Sequence, residues 1–160
     1  MPAKNQIENV VAVLNQARAM EIKVIFQYMN QHYHLDSKGY GKLASAVKKA
    51  AIDEMKHAEA FAERIKEIDG TQAPTTKPEK PVVTEQDIND IFGFNAETES
   101  GTIEKYGEFA KVCRDNNDPV SAILFERIAV EEQEHLNYFS NTAEHIKSLG
   151  NCFLNQQINK

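Results

Sequence analysis

Two copies of a Glu-x-x-His pattern, Glu54-Met55-Lys56-His57 and Glu132-Gln133-Glu134-His135, stand 78 residues apart in a chain of 160 residues. In a helix, residues three apart share a face, so each carboxylate and its imidazole point the same way. The same shift carries Glu21 onto Glu99 and Tyr28 onto Tyr106, and it carries apolar onto apolar: Val10 onto Ile88, Leu14 onto Phe92, Val47 onto Phe125, Phe61 onto Phe139. In both halves a lone Glu precedes the Glu-x-x-His by 33 residues. One such pattern carries little information. A duplication with the same polar residues at its centre marks Glu21, Glu54, His57, Glu99, Glu132 and His135 as one constellation. Four carboxylates in an apolar core are very costly as anions, and either protonation or a strongly bound cation must relieve them. Two divalent ions carry the charge that balances four carboxylates. Glu with neutral His suits Fe, Mn or Zn rather than Ca, which takes oxygen alone. The competing reading is a buried ion-pair network without metal, which makes the duplicated spacing a coincidence.

The elements that must position these residues are long helices. From about residue 6 to 34, Ile7, Val10, Leu14, Ala17, Glu21, Val24 and Tyr28 recur at steps of three and four, a bundle seam interrupted by one carboxylate. Over about 41–68 the seam is Leu43, Val47, Ala50, Glu54, His57, Phe61 and Ile68. Gly70 and three Pro between Asp69 and Pro81 make a loop. A loop of that length is uncommon in a compact domain. It makes sense as a crossover running the length of a helix of about 40 Å, with the second and third helices parallel. The third helix, about 85–114, is expected to open at Thr84, with Asp87 three residues on as in a capping box. Its seam is Ile88, Phe92, Glu99, Ile103, Tyr106, Ala110 and Cys113. Glu97 competes with Glu99, but it falls off the stripe and outside the repeat. Asp118 as N-cap and Pro119 as first helical residue open the fourth helix, about 119–149, with Leu124, Ile128, Glu132, His135, Phe139, Thr142, Ile146 and Leu149 on its seam. Gly150 ends it, and residues 151–158 read as a short fifth helix. The fold expected is all-α: one four-helix-bundle domain over 1–160, with a long crossover between helices two and three.

Within it, Glu54 and Glu132 are expected to bridge two metals. Glu21 and His57 complete one site, Glu99 and His135 the other. Tyr28 and Tyr106 are open between two roles: hydrogen bonding to metal-bound carboxylates, or core aromatics with satisfied hydroxyls. If repulsion among the carboxylates dominates, a metal-free Glu132→Ala chain is expected to be more stable than the metal-free parent. His32, His34 and His145 lie near helix C-termini and read as surface residues.

Composition narrows the function. With 24 Asp+Glu against 18 Lys+Arg and a net charge of −6, nothing favours nucleic-acid binding. Cys113 and Cys152 read as a buried thiol and a tail thiol. There is no Cys-x-x-Cys, so neither a rubredoxin-type iron site nor a zinc ribbon is encoded. No apolar stretch approaches the roughly 20 residues of a membrane helix. The first residues show no basic head followed by an apolar run, so the expected location is the cytoplasm.

One Glu from each of two helices plus Glu-x-x-His from each of two others is the known arrangement of ferritin-like di-metal carboxylate bundles. At Glu21 with Gln27-Tyr28, at Ile52-Asp53-Glu54-Met55-Lys56-His57-Ala58, at Glu132-x-x-His135 and in the tail Phe153-Leu154, the sequence resembles the bacterioferritins. The resemblance covers nearly the whole chain. It implies a hollow cage of 24 identical subunits whose di-iron centre oxidises Fe(II) with O2 or H2O2 and stores the ferric mineral. It implies the six residues above as iron ligands, and haem b held by Met55 from each of two subunits. Ile22, Ile25, Phe26 and Met29 would help line that haem pocket. Met55 is also readable as adaptable packing at a subunit interface. Two other functions remain open at this point. One is a rubrerythrin-like peroxidase on the same site, which the run Tyr106-Gly107-Glu108-Phe109-Ala110-Lys111 resembles. The other is a Dps-like 12-subunit cage protecting against oxidative stress.

Overall fold

The computed structural model describes residues 2–69 and 81–159. Among them are five α-helices and no strand: α1 (Lys4–Ser37), α2 (Gly41–Asp69), α3 (Ile88–Asp115), α4 (Pro119–Leu149) and the short α5 (Asn151–Leu154), which runs into a 3-10 turn at Asn155–Gln157. The Pro-rich part of the crossover expected after α2 lies outside the described residues.

Two apolar clusters set the directions of the helices. One joins the C-terminal half of α1 (Val24, Tyr28, Leu35), the start of α2 (Leu43, Val47, Ala51), the start of α3 (Ile91, Phe92), the end of α4 (Phe139, Ile146) and Leu154 of α5. The other joins the start of α1 (Val10, Leu14, Ala17) with the ends of α2 (Phe61, Ile65) and α3 (Tyr106, Phe109, Cys113) and the start of α4 (Ala122, Phe125, Ile128). Thus α1 and α2 form one antiparallel hairpin, α3 and α4 another, and α2 runs parallel to α3. The end of α2 and the start of α3 therefore lie at opposite ends of the bundle. The internal repeat exchanges the two clusters: Tyr28 and Phe139 belong to one, Tyr106 and Phe61 to the other.

The helix ends follow from local chemistry. Gly39 at φ 87° lets the chain leave α1 in the left-handed region that favours glycine, and Gly150 at φ 52° stops α4. The start of α3 differs from expectation. The N-cap is Asp87, not Thr84; its carboxylate accepts the Asn89 backbone N–H at 2.8 Å. Residues 81–87 are instead tied to α1 by buried amides. Gln27 donates to the Val83 carbonyl and accepts from the Val83 N–H, both at 2.8 Å, and Gln31 pairs reciprocally with Asn95 of α3 at 2.8 Å. Amide side chains pointing inward satisfy an irregular segment that has no ladder of its own.

Asp118 caps α4 as expected, accepting the Ser121 N–H at 2.9 Å. It also locks α4 to the end of α2: Arg64 donates to Asp118 at 2.9 Å and to the Ser121 hydroxyl at 2.8 Å. Burial alone would raise the Asp118 carboxyl; the Ser121 hydrogen bonds and Arg64 outweigh it and hold it below its ordinary value. Asp118→Ala removes a cap and the ion pair that ties Arg64 to the start of α4, leaving Arg64 only Glu67 and the Ser121 hydroxyl. We expect a loss of about 2–3 kcal/mol, read as a fall of roughly 5–10 °C in melting temperature for a chain of this size.

Candidate metal centre

The polar constellation lies between the two apolar clusters, one helix contributing to each corner. Glu21 (α1), Glu54 and His57 (α2), Glu99 (α3) and Glu132 (α4) are all buried, and His135 (α4) is nearly so. They fall into two groups: Glu21, Glu54, His57 and Glu132, and Glu54, Glu99, Glu132 and His135. Within each group, one ligand atom from every residue lies within 4.8 Å of the others. Glu54 and Glu132 belong to both. The sharing is atom by atom. His57 Nδ1 is 2.9 Å from Glu54 Oε2 and 3.0 Å from Glu132 Oε1. His135 Nδ1 is 3.0 Å from Glu54 Oε1 and 3.1 Å from Glu132 Oε2. Each lone Glu stands further back, Glu21 at 3.9 Å from His57 Nδ1 and Glu99 at 3.8 Å from His135 Nδ1. Glu97 is exposed, so the stripe argument for Glu99 agrees with its position.

Tyr28 and Tyr106 are fully buried and both donate to carboxylates, but across the bundle. Tyr28 on α1 bonds Glu99 on α3, and Tyr106 on α3 bonds Glu21 on α1. Each tyrosine therefore serves the lone Glu of the opposite half, not the one two turns before it in its own helix.

Protons carry the positive charge here. Burial alone would lower the His57 and His135 pKa values, but hydrogen bonds and charge from Glu132 and Glu54 outweigh it and raise them to about 10 and about 11. Glu132 is held well below its ordinary value: burial pushes it up, but hydrogen bonds from His135, His57 and Glu99 prevail. Burial, then the charges of Glu54 and Glu132, push Glu99 up to about 11 and Glu21 well above the usual carboxylate range. The centre thus holds protonated Glu21 and Glu99 and two imidazolium rings, four protons where two divalent cations carry the same charge. One atom resists this arrangement. Glu54 Oε1 is buried without a hydrogen bond of acceptable geometry. A buried carboxylate oxygen that meets His135 only as an ion pair, on the residue shared by both groups and within a set of buried carboxylate and imidazole donors, fits a pair of transition metal ions.

The sequence reading missed Asp53 and Glu131. Glu131 accepts from His57 Nε2 at 2.6 Å, and Asp53 faces His135 Nε2 at 3.2 Å. The signal was present: the 78-residue shift carries Asp53 onto Glu131. Met55 does not face this centre. It is 54% exposed, as are Ile52 at 41% and Phe26 at 53%, while Ile22, Ile25 and Met29 are half-buried. His32 is half-buried, its Nδ1 2.8 Å from the Ala44 carbonyl; His145 is exposed and lies against Phe153. Cys113 and Cys152 are free, the first buried, the second exposed.

A bundle of this topology with two Glu-x-x-His helices defines a class. The family model described as a ferritin-like domain matches residues 11–149. A bacterioferritin from Desulfovibrio desulfuricans is 55% identical over 145 residues, covering 91% of this chain and 80% of the relative. One from Streptomyces coelicolor is 31% identical over 88% of this chain and 83% of its own length. The X-ray structure of the Desulfovibrio desulfuricans bacterioferritin, which describes its diiron site in different catalytic states, superposes with a TM-score of 0.92 at 51% identity, covering 99% of this chain and 93% of that one. The Mycobacterium tuberculosis bacterioferritin superposes at 0.87 with 26% identity, covering 99% of this chain and 98% of that one. The chain belongs to the bacterioferritins of the ferritin-like family. Among the described residues no helix is long and apolar enough to cross a membrane.

Proposed function

We propose that the chain is a cytoplasmic iron-storage ferroxidase. It would bind two Fe(II) within each subunit, oxidise them with O2 or H2O2, and store the ferric product in a cage of 24 copies. The observation that carries this reading is the sharing of Glu54 and Glu132 between two otherwise separate ligand groups. Bridging carboxylates hold two ions close enough to act on one oxidant.

The residues have distinct tasks. Glu54 and Glu132 bridge. Glu21 with His57, and Glu99 with His135, complete the two positions. Tyr28 and Tyr106 orient the lone carboxylates through their hydroxyls. The apolar clusters on either side keep bulk water away. Two Fe(II) held there would supply two electrons together, which with two protons from solvent reduce O2 to H2O2, or H2O2 to two waters, without release of a one-electron oxygen radical. Negative charge on the inner face of such a cage would help attract iron.

Phe26, Ile52 and Met55 are exposed apolar residues of the kind that a second copy could cover. Met55 there would offer a thioether to haem b, one from each of two subunits. Haem reconstitution is expected to give a spectrum with two thioether ligands. Met55→Leu should lose that spectrum while keeping Fe(II) oxidation; retention of the parental haem spectrum in the variant would remove Met55 from this role.

Excess Fe(II) in air tests the storage reading. A soluble ferric core inside a particle much larger than one subunit supports it. Peroxide turnover without core growth would point to a peroxidase of the rubrerythrin type, and a core in a 12-subunit particle to the smaller cage.

A further inference from the structure

Glu131 and Asp53 each immediately precede the Glu of a Glu-x-x-His, and the internal repeat superimposes them. One residue along a helix turns by about 100°, so neither faces the seam. Each reaches the neighbouring helix instead. Glu131 on α4 takes His57 Nε2 of α2, and Asp53 on α2 faces His135 Nε2 of α4. In both cases the opposite ring nitrogen, Nδ1, is aimed at Glu54 and Glu132. The two halves are not equal. Asp53 also holds Lys49 at 2.9 Å and Lys56 at 3.9 Å, so its charge is divided. Glu131 lies closer to its imidazole, at 2.6 Å against 3.2 Å.

Resting on the two-metal reading above, we propose that Glu131 and Asp53 are positioning residues that fix the two imidazoles from outside. Their inequality makes the Glu21–His57 position the tighter metal site. A carboxylate accepting from Nε2–H fixes the tautomer with its lone pair on Nδ1 and strengthens that nitrogen as a ligand. Glu131 does this with a short contact, whereas Asp53 does it with a charge already drawn toward two lysines. The first divalent ion to enter therefore takes the His57 side.

The test is a Co(II) titration of the metal-free assembled protein, followed by visible absorption and calorimetry, beside Glu131→Gln and Asp53→Asn. Co(II) needs no oxidant, so the readout is independent of activity. The parent is expected to bind two Co(II) per chain in two steps. Glu131→Gln should weaken the first step by about tenfold or more and change its absorption band, whereas Asp53→Asn should weaken the second step by a smaller factor. Glu131 is more than half exposed, so its amide variant keeps the parental melting temperature without metal. Parental isotherms and bands in Glu131→Gln would overturn the positioning role. Two equal steps in the parent would overturn the inequality. A parent that binds no Co(II) in its bundle would instead sink the two-metal reading, and this inference with it.

Discussion

Replacing Glu132 by alanine is expected to lower the rate of Fe(II) oxidation by about a hundredfold or more, because in the proposed centre it would take a ligand from both metal positions at once. Loss of a single outer partner of a metal ligand already costs 10–100-fold in affinity or activity. Glu132 offers Oε1 toward His57 and Oε2 toward His135, so no other residue but Glu54 bears on both ions equally. Stopped-flow oxidation at two Fe(II) per chain, beside circular dichroism of the metal-free variant, reads the effect. The helical spectrum should persist, since both apolar clusters are untouched. A variant oxidising at the parental rate would count against the site. The structure also revises the expected stability. Glu132 is the anion held between two imidazolium rings, and that attraction outweighs the repulsion between it and the carboxyls of Glu21 and Glu99. The metal-free Glu132→Ala chain should therefore be less stable than the parent. Relief of burial is expected at Glu21 or Glu99, which are the carboxyls held protonated.

The second large effect is on protons. The metal-free centre keeps protons on His57, His135, Glu21 and Glu99 at neutral pH, and metal ligation requires their removal. Binding two divalent ions near pH 7 is expected to release about four protons per chain, with affinity rising steeply as pH rises. Titration in weakly buffered solution, or calorimetry in buffers of different ionisation enthalpy, counts them. Stability follows the same groups. His57 rises from 6.5 to about 10 and Glu99 from 4.5 to about 11 in the folded state. Such groups contribute fully below their unfolded values, and the contribution is lost as pH rises through the folded ones. Glu132 is lowered, so its contribution is present above 4.5 and lost on acidification. The metal-free protein should therefore melt at lower temperature at pH 9 than at pH 7, while the metal-loaded protein changes little. A flat melting temperature in the metal-free protein would show that these protons are not held.

Much of this centre was legible in the sequence because a duplication repeats its buried carboxylates and histidines. A carboxylate in the middle of an apolar stripe stands out, and a second one 78 residues on removes chance. Asp53 and Glu131 obey the same shift, but they sit off the stripe, where charged residues are ordinary. Only the packing of α2 beside α4 shows that each serves the other's histidine. The tyrosines show the same limit. Their spacing from a Glu places them in the core, but which carboxylate they bond depends on α1 lying against α3. The start of α3 was misplaced because Thr84 and Asp87 have the spacing of a capping box. In the folded chain, Gln27 takes up the polar groups of Val83, four residues before Asp87 becomes the cap. Phe125 and Thr102, fully or nearly buried, lie one position from the seam residues Leu124 and Ile103; a stripe of period three and four defines a face to within about one residue.

The most direct test is the oxidation of limited Fe(II) by the metal-free protein in air and then in peroxide. The account predicts fast oxidation that saturates at two Fe(II) per chain and leaves no detectable one-electron oxygen radical. Oxidation at the rate of free Fe(II) in buffer, or saturation at one ion per chain, would contradict a centre built on two shared carboxylates.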